Sequence, residues 1–481
     1  MRYYFTADAI RAAEAPLLAA LPEGALMRRA AYGLATAIAR ELIARTGGIF
    51  GRRVCAVVGS GDNGGDALWA AAFLRRRGAA ADAVLLRPDR THPAALAAFR
   101  RAGGRVVQTI SPATHLVIDG VVGISGRGPL RPEAAEIFAR TEAPVVAVDI
   151  PSGIDVHTGA RTGPAVRADL TVTFGGRKPV HALADCGRVE LVDIGLALPD
   201  TEVREFEATD VAACWPVPGR RDDKYTQGVT GVLAGSDRYP GAAILCAGAA
   251  VATHSGMVRY AGSAAAEVVS HWPEVVAAPD PQQAGRVQAW VVGPGLGVDD
   301  AAEQALAFAL GSDVPVLVDA DGLTVLARRR DGLRARTAPT LLTPHAGEFE
   351  RLAGAPPAQD RVAAVRALAD DTGATVLLKG NVTVIAAPGG PVYLNPAGES
   401  WAATAGSGDV LSGVLGALLA AGLPAAEAAA AGAFVHTRAA ALAAAEPGPA
   451  PVPISASRIL AHLRTALGSI LQKGPHAQND A

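Results

Sequence analysis

Short apolar runs alternate with stretches of helical periodicity through the first half of the chain. The apolar runs predict strands, which are expected at 54–58, 83–86, 105–107, 115–119, 145–149, 170–174 and 189–192. Helical spacing predicts helices at 67–77, 93–101 and 132–140, and across 6–46 with Thr6 as a cap. Because helices separate most of these strands, the pattern predicts an α/β fold with a doubly wound parallel sheet.

The same alternation returns in the second half. Its predicted elements are a strand at 229–236, a helix at 242–257, strands at 289–292, 316–319, 340–342 and 375–378, and a hairpin at 383–394. Between the halves, 198–218 contains Pro199, Pro216 and Pro218 and lacks sustained periodicity, which is typical of a domain boundary. We therefore predict two α/β domains, 1–203 and 204–481.

Composition narrows the class of partner. Half of the residues are hydrophobic and 19% are charged, as in soluble proteins with large cores. The net charge is −2, and no basic stripe is interleaved with aromatic residues, which argues against nucleic acid as a partner. The cysteines are scattered without CxxC spacing, so we expect free thiols in a reducing compartment; they are Cys55, Cys186, Cys214 and Cys246.

No membrane partner is expected. The N-terminus lacks the basic region and continuous apolar core of a signal peptide. The most apolar stretch, 410–435, is interrupted by Gly422, Pro424 and Glu427, so it predicts a buried helix pair instead of a membrane span. We therefore expect a cytoplasmic location.

Oxygen-bearing side chains follow three predicted strands of the first half. The first strand leads into GSGDNGGD at 59–66, Asp119 precedes a glycine-rich loop at 120–129, and Asp149 precedes 150–155. The carboxyl ends of parallel strands meet at one edge, where doubly wound sheets bind ligands. Hard oxygen ligands without His or Cys suit an alkali or alkaline-earth cation. Purely structural turns at 59–66 and at Pro151 remain the alternative.

The sequence AGSGDVLSG at 405–413 begins a predicted helix in the second half. Gly406 and Gly408 leave backbone amides accessible at the helix N-terminus, which favours an anion site. Asp409 in the first turn can stabilise the helix. It can also take a proton from a hydroxyl that receives a phosphoryl group, and the spacing leaves both roles open.

Four further motifs follow predicted strands of this half. They are GPGLG at 293–297, DADGL at 319–323, TPHAGEFE at 343–350 and KGNVT at 379–383. Lys379 is the only lysine between Lys224 and Lys473, and its ammonium beside glycine amides suits a phosphate. His345 and Glu348 can equally be ordinary hydrogen-bonding residues at a helix start.

The motifs GSGDNGGD, IDG…GRGP, VDIPSGID and TVTFGGRKP together resemble the NAD(P)H-hydrate epimerase family over residues 1–200. The resemblance implies a Rossmann-like domain that interconverts the R and S hydrates of NADH and NADPH with bound K⁺. It implies K⁺ ligands at Asn63, Asp119 and Ser152. It also implies that the hydrated nucleotide contacts Asp62, Asn63, Gly64, Gly65, Asp66, Gly123, Ile124, Ser125, Gly126, Arg127, Gly128, Pro129 and Asp149.

Two positions depart from that family's pattern: Asp62 stands where the family usually has the first Asn of an Asn-Asn pair, and Ala67 stands where it usually has a Gly. The added charge at Asp62 is expected to weaken binding of a diphosphate unless K⁺ or Arg127 offsets it. Inversion at a carbon that bears a hydroxyl beside a ring nitrogen needs a group that moves a proton on and off. Asp149 is our candidate for that group.

The second-half motifs, with Lys224-Tyr225…Gly228 and Tyr239-Pro-Gly-Ala-Ala, resemble the ADP/ATP-dependent NAD(P)H-hydrate dehydratase family over residues 204–470. The resemblance implies a ribokinase-like domain in which Asp409 is the acid/base and Mg²⁺ neutralises the phosphates of ADP or ATP. It implies that the hydrate contacts Ala243, Gly295, His345 and Asp409. The adenine nucleotide would contact Lys379, Gly380, Asn381, Val382, Thr383 and Gly408.

Together the resemblances predict a bifunctional repair enzyme for hydrated NADH and NADPH, with small-molecule substrates and a homo-oligomeric assembly. Phosphorylation converts hydroxide, a poor leaving group, into phosphate, a good one, so a kinase-like site can drive dehydration. One alternative is a ribokinase-like small-molecule kinase with an accessory nucleotide-binding N-terminal domain. Another is a first domain that has lost catalysis and remains a nucleotide-binding scaffold.

Overall fold

The computed structural model describes residues 1–124, 126, 128–253, 256–328 and 332–472. The chain forms two compact units, Tyr3–Thr201 and Glu202–Ala481, and Met1–Arg2 belong to the second. The division lies two residues before the boundary predicted at 203. Its position follows from the strand Val203–Glu205, which pairs in parallel with Val392–Pro396 of the second unit.

The first unit is built on a seven-stranded sheet. The chain begins with β1 (Arg2–Tyr4), which is not part of this sheet. The seven strands are β2 (Arg53–Val58), β3 (Ala80–Leu85), β4 (Arg105–Val107), β5 (Leu116–Gly120), β6 (Val145–Val148), β7 (Leu170–Phe174) and β8 (Arg188–Val192). Its helices are α1 (Ala7–Ala20), α2 (Ala25–Thr46), α3 (Asp62–Arg76), α4 (Pro93–Arg101), α5 (Pro132–Ala139) and α6 (Val180–Leu183). Thr6 caps α1 as predicted, since its hydroxyl accepts from the Ala9 amide at 3.2 Å.

The strand order β4-β3-β2-β5-β6-β7-β8, with all pairs parallel, is that of a doubly wound dinucleotide-binding sheet. The direction of winding reverses between β2 and β5. Ligands of such sheets bind in the crevice outside the carboxyl ends of the strands at this reversal. The predicted fold class is therefore confirmed for this unit.

The second unit contains an eleven-stranded sheet of order β1-β9-β18-β17-β16-β15-β14-β13-β10-β11-β12. Its further strands are β9 (Val203–Glu205), β10 (Val229–Leu233), β11 (Met257–Ala261), β12 (Val276–Ala278), β13 (Ala289–Val292), β14 (Val316–Val318), β15 (Thr340–Leu342), β16 (Thr375–Leu378), β17 (Val382–Ala386) and β18 (Val392–Pro396). Strands β10 to β16 run parallel, and β16–β17–β18 form antiparallel pairs.

The helices of this unit cover the sheet and enclose a hydrophobic core. They are α7 (Ala208–Cys214), α8 (Pro240–Thr253), α9 (Ala265–His271), α10 (Asp300–Leu310), α11 (Asp321–Leu326), α12 (Ala346–Ala353), α13 (Arg361–Thr372), α14 (Ser407–Ala420), α15 (Ala425–Ala445) and α16 (Ala456–Leu471). A helix predicted at 242–257 ends earlier than expected, because Met257 begins β11; neither β11 nor β12 was predicted.

Helix α14 lies unusually close to its neighbours. A Cβ on Gly413 would lie 2.1 Å from the carbonyl oxygen of Cys246 in α8, and a Cβ on Gly416 would lie 2.1 Å from Val291 Cγ2 in the sheet. Only glycine permits these contacts, so α14 is held between α8 and β13.

The predicted buried helix pair corresponds to α14 and α15. Among the described residues, α15 is the one helix whose length and composition would allow it to cross a membrane. Two thirds of its most apolar window (67%) is buried inside the unit, which is typical of a core helix.

Candidate active sites

The crevice of the first unit is formed by two loops in close contact. A Cβ on Gly59, directly after β2, would lie 2.1 Å from the carbonyl oxygen of Val121, directly after β5. Gly59, Gly61 and Gly64 have the G-x-G-x-x-G spacing between a strand and a helix that allows a dinucleotide to approach the backbone. A cavity of about 280 Å³ opens beside these loops. The geometry therefore suits the phosphates of a nucleotide.

A buried carboxylate lies at the end of β5. Asp119 is fully buried, and both of its oxygens accept from Ser152, at 2.8 Å from the amide and 2.7 Å from the hydroxyl. Burial raises the pKa of Asp119 to about 6, and the Ser152 hydrogen bonds oppose the rise. Asn63 donates to Val148 O at 2.6 Å, which leaves its Oδ1 directed towards Gly123. Within the described ranges, the donors to these oxygens are neutral, and none is a cation.

Asp149, after β6, is held by an ion pair. Its backbone has a φ of +67°, and its Oδ1 accepts from Lys178 Nζ at 2.5 Å and from Thr173 Oγ1 at 2.9 Å. Lys178 is only 1% exposed. Burial acts to raise the pKa of Asp149, but the Lys178 charge and these hydrogen bonds lower it below its ordinary value. Asp149 therefore favours its ionised form, and within the described part of the chain no amide of the turn at Pro151 donates to its carboxylate.

His181 fixes the backbone of the same residue. His181 Nδ1 accepts from the Lys178 amide at 2.9 Å, so Nε2 carries the proton and donates to Asp149 O at 2.8 Å. Burial lowers the pKa of His181 to about 4, which keeps the ring neutral. The carbonyl that the left-handed backbone of Asp149 turns inward is therefore satisfied.

A second carboxyl group near Asp149 has the opposite protonation preference. Asp66 of α3 is 7% exposed, and its buried Oδ1 has no hydrogen-bond partner among the described residues. Burial raises the pKa of Asp66 well above its ordinary value, and the charges of Asp149, Asp62 and Glu14 add to the rise. The site thus combines an ionised carboxylate with a carboxyl group that favours its protonated form.

The predicted residues of this site fall into three groups. Gly123, Gly126, Gly128, Pro129 and Ser152 line the cavity. The segment Asp62–Asp66 forms the first turn of α3 beside it, and Ile124 lies in the loop after β5. Ser125 and Arg127 lie outside the described residues. The departure at Ala67 is accommodated by packing, because Gly120 faces its methyl group.

The sequence interpretation missed the role of Lys178. A signal was present, since Lys178 is the only lysine before Lys224 in a chain that otherwise uses arginine. It also missed Glu14, which the fold brings near Asp149 and Lys178 from α1. Burial raises the pKa of Glu14, and the Lys178 charge opposes the rise.

The second unit has a cavity of about 610 Å³ where β14, β15 and β16 end and α14 begins. Lys379 Nζ lies 2.6 Å from Asp319 Oδ1 and 3.8 Å from Glu348 Oε2. Asp319 Oδ2 accepts from Ser412 of α14 at 2.7 Å. The ammonium of Lys379 is therefore anchored to the sheet and, through Asp319, to the helix.

Asp409 lies in the first turn of α14 and lines this cavity. Burial raises the pKa of Asp409 to about 7; the negative charge of Asp319 adds to the rise, and Lys379 opposes it. A carboxylate of this pKa changes protonation near neutral pH, which suits a general base.

The N-terminus of α14 is open towards the same cavity. Gly406 caps the helix with a φ of +83°, and no side chain of the residues that the structure describes accepts a capping hydrogen bond there. His436, which was not predicted, is buried and its Nε2 donates to Ser407 O at 3.0 Å. A Cβ on Gly408 would lie 3.4 Å from Lys379 Nζ. Amides and an ammonium thus face one anion-sized position.

The remaining predicted residues of this unit lie at different places. His345 lines the cavity and also caps α12, because its Nδ1 accepts from the Gly347 and Glu348 amides. Gly380, Asn381 and Thr383 line the cavity, whereas Val382 begins β17 and does not. Ala243 is fully buried in α8, and Gly295 packs against the neighbouring Ala242; neither lines this cavity.

Ala320 is strained at the rim of this cavity. Its φ of +50° is rare for a residue with a Cβ. The turn separates Asp319, buried at the end of β14, from Asp321, whose Oδ2 accepts from the Gly297 amide at 2.9 Å. Only Asp319 of this pair lines the cavity.

Comparison with known proteins assigns both units. Residues 230–462 match a family described as NAD(P)H-hydrate dehydratase, and residues 23–180 match one described as YjeF-related protein N-terminus. The second unit is similar to the crystal structure of ADP/ATP-dependent NAD(P)H-hydrate dehydratase from Bacillus subtilis co-crystallised with ATP/Mg²⁺. That similarity has a TM-score of 0.51 at 28% identity and covers 56% of this chain and 99% of the other.

Relatives of full length carry both parts. The bifunctional NAD(P)H-hydrate repair enzyme Nnr of Mycobacterium tuberculosis is 76% identical over 473 residues, which cover 98% of this chain and 100% of that protein. The enzyme of the same name from Corynebacterium glutamicum is 40% identical over 444 residues, with 76% of this chain and 77% of that protein covered. The chain therefore belongs to the family of bifunctional NAD(P)H-hydrate repair enzymes.

Proposed function

We propose that the first unit epimerises the R and S hydrates of NADH and NADPH, and that the second unit dehydrates the S form at the expense of ADP or ATP. The observation that carries this proposal is Asp409, a carboxylate of raised pKa at an open helix N-terminus beside the Lys379 ammonium. That arrangement supports phosphoryl transfer to a hydroxyl. The full-length relatives support the pairing of the two activities.

In the second unit, Asp409 takes the proton of the hydrate's hydroxyl as the oxygen attacks the terminal phosphoryl group. Among the residues that line the cavity, Lys379, Gly380, Asn381, Thr383 and Gly408 are proposed to hold the nucleotide and His345 the hydrate; Val382, Ala243 and Gly295 do not line it. The amides of 406–408 steady the transferred phosphoryl group. Phosphate then leaves as the ring nitrogen supplies an electron pair and forms a double bond to the carbon. Loss of a proton from the adjacent ring carbon to water restores the dihydronicotinamide.

Mg²⁺ fits this cavity, because Glu348 supplies a hard carboxylate oxygen beside Lys379. When bound, Mg²⁺ neutralises the nucleotide phosphates. The dehydratase from Bacillus subtilis, co-crystallised with ATP/Mg²⁺, supports this choice of cofactor.

Dehydration is expected to depend on pH through Asp409. A general base acts in its ionised form, so raising its pKa to about 7 means that kcat/KM reaches half of its plateau near pH 7. Below that pH the rate should fall about tenfold per pH unit, and above it the rate should level off. The measurement is kcat/KM for the S hydrate with saturating ADP from pH 5 to pH 9. A flat profile across pH 6 to pH 8 would contradict the role of Asp409.

In the first unit, we propose that Asp66 and Asp149 divide the proton transfers. Asp66, in its protonated form, donates to the departing hydroxyl while the ring nitrogen forms a double bond to the carbon. Asp149, kept ionised by Lys178, takes a proton from the water that adds to the other face. Carboxyl groups whose environments separate their pKa values are typical of such acid–base pairs.

K⁺ is proposed to bind at Asn63, Asp119 and Ser152. These residues fit the ion, because Asp119 is a buried carboxylate with neutral partners only and Asn63 Oδ1 is free of donors among the described residues. When bound, K⁺ offsets negative charge at this edge, including that of Asp62. The hydrated nucleotide is proposed to contact 62–66, 123–129 and Asp149. Homo-oligomeric assembly and a cytoplasmic location stay predictions from the sequence.

The combined function is tested with an R/S mixture of hydrated NADH. With ADP, Mg²⁺ and K⁺, we expect the dihydronicotinamide absorbance to return completely, since epimerisation continually supplies the S form. With choline in place of K⁺, recovery should proceed rapidly only for the S fraction and then slow. A stable phosphorylated product without recovery of absorbance would instead identify a small-molecule kinase. Recovery that stops at the S fraction in K⁺ buffer would identify the first unit as a scaffold.

A further inference from the structure

The end of β3 occupies a position that discriminates between nucleotides in doubly wound sheets. In such folds the adenosine half of a dinucleotide lies over the first strands. A residue after the second strand, about 20 residues beyond the last glycine of G-x-G-x-x-G, faces the adenosine ribose. An acidic residue there binds the 2′-hydroxyl of an NAD-type ribose, whereas an arginine accommodates the 2′-phosphate of an NADP-type ribose.

In this chain, arginines follow the second strand of the unit's β2–α3–β3 segment. Leu86 donates to Val58 O at 3.0 Å, which aligns the ends of β3 and β2. The following turn carries Arg87 and Arg90, and Thr91 Oγ1 donates to Arg87 O at 2.9 Å across it. Both arginines line the same cavity as Gly59. The turn therefore presents two cations to the crevice.

Charge pairing distinguishes the two arginines. Arg87 Nη1 is committed to Glu133 Oε2 at 2.8 Å and to its neighbour's carbonyl, Leu86 O, at 2.7 Å. The guanidinium of Arg90 has neither a hydrogen bond nor an ion pair within the described ranges, and Arg131 lines the cavity as well. Asp89, the acidic residue of this turn, does not line it. The cavity therefore contains an unpaired arginine where an acidic residue would select the 2′-hydroxyl.

We propose that Arg90 binds the adenosine 2′-phosphate, so that the first unit epimerises hydrated NADPH in preference to hydrated NADH. This inference rests on the proposed epimerase function and adds its substrate preference. The planar guanidinium matches a phosphate with two parallel hydrogen bonds. Hydrated NADH lacks that phosphate and gains nothing from Arg90.

The test compares kcat/KM for the R hydrates of NADPH and NADH in full-length protein without ADP or ATP, so that only epimerisation proceeds. Wild-type protein is expected to prefer hydrated NADPH. Arg90→Ala should lower kcat/KM for hydrated NADPH by roughly tenfold or more and change that for hydrated NADH less than about twofold. Arg90→Lys should recover part of the preference. The control Arg101→Ala removes an exposed arginine of α4 that does not line the cavity, and should change neither value.

Two outcomes would overturn the inference: equal losses for both hydrates, or an unchanged NADPH preference in Arg90→Ala. If wild-type protein converts neither hydrate, the proposed epimerase function is wrong. A binding measurement then tests the role of Arg90 by itself. Titration calorimetry with adenosine 2′,5′-bisphosphate should then show a site in wild-type protein that Arg90→Ala weakens about tenfold. Identical titrations of the two proteins would reject it, since nucleotide binding by the second unit is common to both.

Discussion

Asp409→Asn is expected to reduce ADP-dependent dehydration of the S hydrate by about 10²–10⁴-fold and to leave epimerisation within about twofold. Asparagine has nearly the same shape as aspartate but cannot take the hydroxyl proton. It also removes the raised pKa that places the Asp409 titration near neutral pH. The measurement is single-turnover recovery of the dihydronicotinamide with saturating ADP, beside a chromatographic assay of R to S conversion in the same protein.

Asp300→Asn is the matched control for this experiment. Asp300, like Asp409, lies in the first turn of a helix, but on α10 and exposed to solvent. Loss of a first-turn carboxylate typically costs about 0.3–1 kcal/mol of stability. If Asp409 only stabilised its helix, both variants would lose stability alike and both would retain dehydration. That result would remove Asp409 from the chemistry.

Asp149→Asn is expected to lower the rate of R to S conversion by about 10²–10⁴-fold while dehydration of pure S hydrate continues. Asparagine tolerates the left-handed φ of +67°, where alanine would be strained, so the backbone can keep its path. The amide oxygen can still accept from Lys178 and Thr173. The change therefore removes the base with little disturbance of the fold, which circular dichroism should verify.

Asp193→Asn controls for the loss of a carboxylate after a strand of this unit. Asp193 is exposed beyond β8, and its Oδ1 accepts from the Gly195 amide at 2.7 Å. It should retain epimerisation. Two separate active sites would be contradicted if folded Asp149→Asn protein lost both activities. The assignment of Asp149 would be wrong if that variant epimerised at the wild-type rate.

Most strands were predictable because each is a short apolar run, and β4, β7, β13, β15 and β16 have the predicted bounds. The start of α3 was predicted at 67 but lies at Asp62, because Gly64 and Gly65 weaken the helical pattern where the crevice needs close backbone contact. Strand β11 was not predicted, because it follows α8 closely in the sequence and a short apolar run after a helix is equally consistent with a continuation of that helix.

The candidate sites were predictable as far as each residue follows its own strand. What could not be predicted is which charges the fold brings together. Lys178 meets Asp149 from the loop after β7, and Glu14 and Asp66 approach from α1 and α3. Local patterns identify residues at strand ends, but only the packed structure shows which of them are paired, unpaired or desolvated.

The glycine contacts of α14 fix the helix that carries Asp409. Its backbone is pressed against α8 and β13 at Gly413 and Gly416, where a Cβ would lie 2.1 Å from its neighbours. An alanine at either position would force the helix away from these neighbours. The position of the base in the second cavity therefore depends on two missing side chains, one and two turns further along the same helix.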